Sequence, residues 1–170
     1  METVKKTIPS FCIDHTRLTK GVYLSRVDLA GKDEAEILTF DIRVKTPYKE
    51  PAMTPEVAHT LEHLCATWLR NHNDEDVRNR IVYFGPMGCL TGFYLIIQEQ
   101  IDNKRKVKPF VKEMIDRIVA NYDNGDTTIP GCSEIECGNY KLNNLKAAIE
   151  TIREFSAYYD DWKEEYPEMK

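Results

Sequence analysis

No other feature of the sequence restricts the possible folds as strongly as the segment His59-Thr-Leu-Glu62-His63. Residues four positions apart lie on one face of a helix, so the two imidazoles can bind a single divalent metal ion. Glu62 directly precedes the second histidine, which brings its carboxylate close to that metal without making it a ligand. A chain with this segment therefore needs a stable helix and at least one further ligand beside the histidine face.

The neighbouring residues predict an amphipathic helix that begins after Thr54 and runs to about Asn71. Thr54 suits the N-cap position and Pro55 the first helical position. With about 100° between successive residues, the two histidines share one side of the helix with Glu62 and Arg70. The apolar residues on the opposite side are Val57, Leu61, Leu64 and Trp68. Histidines on an apolar stripe are usually packed core residues, so this placement favours metal binding, with a solvated polar face as the simpler alternative.

Short apolar segments predict four strands, at residues 22–29, 37–44, 81–84 and 93–98. The strongly polar segment 71–80 is predicted to be a loop.

Asp41 and Arg43 lie on the same side of the second predicted strand, because side chains alternate between the two faces. The simplest interpretation of that side is a solvent-exposed sheet face. Helical spacing predicts two further helices, at residues 108–122 and from about 140 onward, and the chain beyond about residue 160 is expected to be a polar tail that frays.

Composition narrows the class of protein. The 170 residues suit one domain, and 42% hydrophobic and 30% charged residues are ordinary for a soluble globular chain. A formal net charge of -5 argues against nucleic acid or an anionic membrane as the main partner. The N-terminus does not resemble a secretory signal, and the five cysteines are odd in number, so we expect reduced thiols in the cytoplasm.

Three sites remain compatible with the residues alone. Cys137 as the third ligand would give an open centre with a free coordination position. Cys89 as a fourth ligand would close it into a structural Cys2His2 module without catalysis. Glu134 or Glu136 as the third ligand would instead give the site of an inverted HxxEH metallopeptidase.

Cys89 lies among glycines at positions 85, 88 and 92, and such a segment lets the backbone approach a ligand closely. The simpler alternative for this thiol is a small buried hydrophobe.

Five ordered blocks of sequence resemble the S-ribosylhomocysteine lyases, the LuxS family. The blocks are Ser10-Phe-Cys-Ile-Asp-His15, Phe40-Asp-Ile-Arg43, His59-Thr-Leu-Glu62-His63, Gly85-Pro-Met-Gly-Cys89-Leu-Thr-Gly-Phe-Tyr-Leu and Glu136-Cys137-Gly-Asn-Tyr-Lys. They span most of the chain, from residue 10 to about 150. The resemblance implies an α+β fold, a single domain over residues 1–170 in which an antiparallel sheet packs against helices and the HxxEH helix carries the metal.

The resemblance also implies a metal held by His59, His63 and Cys137. One divalent ion per subunit is expected, Fe²⁺ natively, with Zn²⁺ or Co²⁺ as substitutes. Glu62 and Cys89 would be the catalytic acid/base pair.

Four residues match family positions that line the substrate site: Ser10, His15, Arg43 and Arg70. Family members are homodimers with two active sites at the subunit interface, so the segment with Ser10 and His15 is expected to complete the partner's site. Leu90 replaces a residue that is polar in some relatives, and the resemblance assigns no role to Cys12, Cys65 or Cys132.

The implied reaction cleaves the thioether of S-ribosylhomocysteine by successive carbonyl shifts and β-elimination. Its products are L-homocysteine and 4,5-dihydroxy-2,3-pentanedione, the precursor of the quorum-sensing signal autoinducer-2. The same reaction would recycle the products of spent methyl donors.

Overall fold

In the described residues, the four strands that the apolar segments predicted form one antiparallel sheet, as the family resemblance implied. The computed structural model describes residues 13–32 and 35–167, so Ser10 and Cys12 lie outside the described residues. The strands are β1 (Gly21–Ala30), β2 (Ala35–Arg43), β3 (Ile81–Pro86) and β4 (Gly92–Gln98). Their order in the sheet is β1-β2-β4-β3, and every neighbouring pair is antiparallel.

The described part of the chain adds four α-helices to the sheet: α1 (Pro55–Arg70), α2 (Glu75–Arg80), α3 (Val107–Asp123) and α4 (Leu145–Ala157). Short 3-10 helices at Ile101–Lys106 and Tyr159–Asp161 precede α3 and follow α4. Helix α1 contacts β3, α3 and α4. This is the predicted α+β arrangement. Within the described ranges, no helix is both long enough and apolar enough to cross a membrane.

The core lies between the helices and one face of the sheet. In β2 the alternate residues Leu38, Phe40 and Ile42 are at most 2% exposed, and they belong to one cluster with the apolar sides of α1, α3 and α4. Leu61 of α1 is also fully buried in this cluster. Burial of one apolar face on each element thus fixes how α1 is oriented, and its histidine side is left facing away from the core.

The prediction of a loop over residues 71–80 is wrong, because Glu75–Arg80 forms α2. The Asp74 carboxylate caps this helix by accepting a hydrogen bond from the Asp76 backbone N–H, and no residue of α2 is buried. A helix without an apolar stripe leaves no periodic signal in the sequence. The sequence feature that indicates α2 is its capping aspartate, followed by acidic residues in the first turn and basic residues in the last turn.

The last helix begins later than predicted, at Leu145 instead of about residue 140. Asn144 is its N-cap, and its side chain accepts a hydrogen bond from the Ala147 N–H. Leu142, which falls within the predicted helix, therefore lies in the preceding loop.

The interpretation of Asp41 and Arg43 as solvent-exposed is wrong, since each is only 2% exposed. The end of the chain also differs from the predicted fraying tail. Trp162 is 3% exposed and stacks on Phe155, and the ring of Tyr166 stacks on Tyr23 with a centroid separation of 4.8 Å. The segment is polar in composition, but its two aromatic residues pack against the rest of the fold.

Candidate functional site

Three predicted metal ligands converge in the structure. The ligand atoms of His59, His63 and Cys137 all lie within 4.8 Å of one another. The two Nε2 atoms are 3.1 Å apart, and the Cys137 Sγ lies 3.4 Å from the Nε2 of His59. Helix α1 supplies both histidines, and the loop before α4 supplies the thiol. The fold therefore joins residues almost eighty positions apart in the sequence.

Backbone carbonyls orient both imidazoles. The Nδ1 of His59 lies 2.7 Å from the Leu142 carbonyl oxygen, and the Nδ1 of His63 lies 2.6 Å from that of Pro130. A carbonyl only accepts hydrogen bonds, so each Nδ1 carries the proton and donates it. Each Nε2 then presents its lone pair to the other ligands, as metal-binding histidines do.

The donor set fits a divalent metal. Two nitrogen lone pairs and a sulfur that point at one another repel unless a cation lies between them. Tetrahedral coordination with about 2.0 Å to nitrogen and 2.3 Å to sulfur would separate the two nitrogens by about 3.3 Å and nitrogen from sulfur by about 3.5 Å. The separations of 3.1 and 3.4 Å match this arrangement.

Three protein ligands leave a fourth coordination position free. In the described part of the chain, the group of potential ligands contains neither Cys89 nor a glutamate. The carboxylate of Glu136 instead accepts a hydrogen bond from the Ser133 hydroxyl at 2.5 Å, and Glu134 is exposed. The structural Cys2His2 module and the glutamate-completed peptidase site are therefore not supported.

A turn places the Cys137 thiol. The Cys137 N–H donates to the Ser133 carbonyl at 3.0 Å, and the Asn139 N–H points at the Cys137 Sγ at 3.4 Å. The glycine that matters is Gly131, with φ of +67°, since a Cβ there would lie 3.1 Å from the Nδ1 of His63. At Gly138, directly after the ligand, a Cβ would meet nothing within 4 Å.

Sequence reasoning missed a buried threonine that connects α1 to the ligand loop, which is the segment 124–144 between α3 and α4 that carries Cys137. Thr60 is fully buried, accepts a hydrogen bond from the Asn144 N–H at 2.9 Å, and lies 2.9 Å from the Asn143 side-chain oxygen. The available signal was a polar residue on the buried side of the helix, one position after the first histidine.

A second group of side chains surrounds Cys89. Arg43 extends one guanidinium nitrogen, Nη1, to 3.7 Å from the Cys89 Sγ and 2.5 Å from the Thr91 hydroxyl. The Thr91 hydroxyl lies 3.1 Å from the same sulfur. Arginine can only donate, so Thr91 accepts from Arg43 and keeps its own proton to donate to Cys89. Sequence reasoning missed Thr91, although it lies two residues from the thiol.

These contacts favour the thiolate of Cys89. Partial burial raises the pKa of Cys89, but hydrogen bonds from Thr91 and the charge and hydrogen bond of Arg43 outweigh it and bring the pKa below the ordinary value. Cys65 shows the opposite case, because complete burial in the core raises its pKa to about 12. Of these two thiols, only Cys89 is suited to act as a base near neutral pH.

Asp41 is the counter-ion of Arg43, with its Oδ2 2.5 Å from the Nη2 of the guanidinium. Burial lowers the pKa of Arg43, but the neighbouring Asp41 carboxylate more than offsets this and raises the pKa above its usual value. The guanidinium beside Cys89 is therefore permanently charged.

The Cys89 turn is fixed by its backbone. Leu90 has a positive φ of 56°, and its N–H donates to the Met87 carbonyl at 2.9 Å. The Met53 N–H donates to the Leu90 carbonyl at 2.9 Å, which connects the turn to the entrance of α1. Gly92 allows a close approach to a neighbouring strand, since a Cβ there would lie 2.4 Å from the Ile42 carbonyl oxygen. The predicted approach to a ligand stays a prediction.

The remaining predicted residues lie in different settings. Glu62 is half-buried on α1 beside His63. Arg70 is exposed at the end of α1, and its Nη2 donates to the Val82 carbonyl at 2.9 Å. His15 is half-buried, and its Nδ1 lies 2.9 Å from the Ile13 carbonyl oxygen. Ser10 lies outside the described residues.

Comparison with known proteins identifies the family. A family model described as S-ribosylhomocysteinase (LuxS) matches residues 8–166. An S-ribosylhomocysteine lyase of Clostridium acetobutylicum is 42% identical over 164 residues, covering 95% of this chain and 98% of that protein. Proteins of the same name from Phocaeicola vulgatus and Desulfotalea psychrophila are 46% and 48% identical, with 84% of this chain covered in both cases and 83% and 84% of those proteins. The chain therefore belongs to the S-ribosylhomocysteinase (LuxS) family.

Proposed function

We propose that the protein is a metal-dependent carbon–sulfur lyase that converts S-ribosylhomocysteine to L-homocysteine and 4,5-dihydroxy-2,3-pentanedione. The observation that carries this proposal is the open His59-His63-Cys137 group in a chain of this family. An open centre suits a reaction on a small oxygen-rich substrate, whereas a closed centre would suit only a structural role.

The chemistry explains why two proton-transfer groups are needed. The thioether of the substrate has no activating group beside it, so the sugar carbonyl must first move along the chain until the C–S bond lies β to it. Each shift removes a proton next to a carbonyl and returns one to the neighbouring carbon. A divalent metal supplies Lewis acidity that stabilises the negative charge on the sugar oxygens.

Cys89 is the proposed base for the carbonyl shifts. Support comes from Arg43 and Thr91, which lower the pKa of this thiol and direct hydrogen-bond donors at its sulfur. A thiolate with a pKa near the working pH can both take and return a proton.

Glu62 is the proposed acid/base group for the later transfers and the β-elimination. Its position next to His63 on α1 supports a role at the metal side of the substrate. His15, Arg43 and Arg70 are proposed substrate contacts together with Ser10. Arg43 has two proposed roles: it stabilises the Cys89 thiolate or binds the homocysteine carboxylate.

We further propose Fe²⁺ as the native ion, one per subunit, with Zn²⁺ or Co²⁺ able to replace it, since a thiolate and two imidazoles suit all three. We also propose that the protein forms a homodimer with active sites at its interface and that it is located in the cytoplasm. Sedimentation equilibrium tests the dimer: a mass near the 19.7 kDa of one chain would contradict it.

One assay tests the reaction. Metal-loaded protein is incubated with S-ribosylhomocysteine, and free homocysteine thiol is followed with a chromogenic disulfide. We expect release that disappears after chelation and returns when the metal is restored. Glu62→Gln should keep its metal and lose about 10²–10⁴-fold in turnover. Cleavage of peptides without thiol release would instead indicate a peptidase.

A further inference from the structure

The C-terminal segment reaches the Cys89 group from the far side of Asp41. The Asp41 Oδ2 accepts hydrogen bonds from two donors, the Arg43 Nη2 at 2.5 Å and the Tyr166 hydroxyl at 3.2 Å. Arg43 in turn extends Nη1 to 3.7 Å from the Cys89 Sγ. A continuous line of polar contacts therefore leads from Tyr166 through a buried ion pair to the thiol.

This part of the chain is held in a defined position. The Val22 N–H donates to the Lys163 carbonyl at 2.8 Å, and the Lys163 N–H donates to the Lys20 carbonyl at 3.2 Å, so the segment runs beside the start of β1. Gly21 permits this approach, because a Cβ there would lie 2.3 Å from the Lys163 carbonyl oxygen. Trp162 anchors the segment in the core.

Tyr166 contacts the ion pair through its hydroxyl, and its ring packs on a neighbouring tyrosine. The ring stacks on Tyr23 with an interplanar angle of 4°, and burial together with Asp41 raises the pKa of the Tyr166 hydroxyl, so this group stays protonated and donates. Burial raises the pKa of the Asp41 carboxylate, and the charge and hydrogen bond of Arg43 together with the hydrogen bond from Tyr166 oppose that rise. Tyr166 supplies the second donor for Asp41.

We propose that Tyr166 is a positioning residue that holds the buried Asp41 carboxylate in place, so that Arg43 is aimed at Cys89 and the C-terminal segment sets the reactivity of the thiol. The consequence of this contact for catalysis rests on the proposed function, because Cys89 is the proposed base. The contact itself, and the reactivity of Cys89, can be measured without the substrate.

Several other groups lie around this line, among them Ser25, whose side chain hydrogen-bonds the Tyr166 hydroxyl. Arg43 and Asp41 come from β2, and Thr91 donates to the sulfur from the turn before β4. His15 is the further titratable side chain that faces Asp41. Tyr23 packs against Tyr166 and donates its own hydroxyl to the Thr19 carbonyl at 2.9 Å. Tyr166 is the member that reaches this group from the end of the chain.

The test is the pH dependence of Cys89 alkylation in the metal-loaded full chain, read by mass spectrometry of the Cys89 peptide. Tyr166→Phe keeps the stacked ring and removes only the hydroxyl. We expect the alkylation midpoint to rise by about 0.5–1 pH unit, and the rate at neutral pH to fall about threefold to tenfold. Tyr158→Phe is the matched control, because Tyr158 lies in the same region and is 48% exposed. Its midpoint should equal that of the wild type.

A double-mutant cycle tests the route through Asp41. In an Asp41→Asn background, Tyr166→Phe should cause no further shift of the midpoint. An equal shift in both backgrounds would overturn the route, and an unshifted midpoint in Tyr166→Phe alone would overturn the proposal even if Asp41→Asn did not fold. Because alkylation is measured without substrate, a protein that releases no homocysteine but shows the shift would contradict the proposed function and leave this inference standing.

Discussion

At the scale of single residues, the reactive character of Cys89 comes from its neighbours. The sequence marked Cys89 and Arg43 as candidates through a family resemblance, but it could not show that both contact Thr91. Which side chain donates to a sulfur depends on a turn and on strand register. Gly92 pairs with Arg43 across β2 and β4, and this register brings Thr91 to the guanidinium.

Removing the Thr91 hydroxyl should make the thiol less acidic. In Thr91→Val, Cys89 loses a donor that favours its thiolate, so its pKa should rise by about 0.5–1 unit. The thiolate fraction below that pKa would fall accordingly, and alkylation of Cys89 near neutral pH would slow in proportion. A pH–rate profile of alkylation measures the shift.

Thr39→Val is the matched control, since the Thr39 hydroxyl is buried on the neighbouring strand β2 and has no hydrogen-bond partner among the described residues. Its profile should match that of the wild type. If Thr91→Val kept the wild-type profile as well, the assigned hydrogen bond would be wrong.

At the scale of elements, periodicity predicted α1 almost to the residue, because its apolar side is buried and its first position is a proline. The same reasoning failed for α2, which buries nothing, and for the start of α4, where the polar segment before Leu145 is a ligand loop. In that loop the backbone carbonyl of Leu142 orients His59. A backbone contact of this kind leaves no trace in residue type.

Gly131 offers a test of how the ligand loop supports His63. Gly131→Ala should lower the stability of the fold for two reasons. The φ of +67° is unfavourable for alanine, and the new Cβ would lie 3.1 Å from the His63 ring. Gly125→Ala shares only the first cost, because Gly125 has φ of +96° and nothing within 4 Å of its Cβ position. We expect both variants to lose stability, and only Gly131→Ala to bind metal more weakly. Metal titration of both variants would contradict this account if their affinities were equal.

At the scale of the whole molecule, contacts between residues that are far apart in the sequence were the least predictable. No sequence pattern near Asp41 indicated that Tyr166 would hydrogen-bond to it. The buried Asp41–Arg43 ion pair was therefore interpreted as part of an exposed sheet face. The residues alone left Cys137, Cys89 and two glutamates as candidate ligands beside the two histidines, and the family resemblance selected Cys137. The geometry of the metal group depends on α1 packing between β3, α3 and α4.

Metal binding should stabilise the fold, because the ion joins α1 to the ligand loop. At free metal about 100-fold above its Kd, the free energy of unfolding should rise by about 2.7 kcal/mol. Thermal unfolding with and without chelator measures this gain. Cys137→Ala should lose most of it, whereas Cys132→Ala, an exposed cysteine in the same loop, should retain it. Equal gains in the two variants would remove Cys137 from the ligand set.

The central claim is that an open metal centre and a separate thiol act together on one thioether. The most direct test compares homocysteine release from S-ribosylhomocysteine by wild type and Cys89→Ala, with bound metal quantified in the same samples. We predict metal-dependent release by the wild type, and a Cys89→Ala variant with full metal content and turnover lower by at least about 10²-fold. Loss of metal from Cys89→Ala, or undiminished release by it, would contradict the claim.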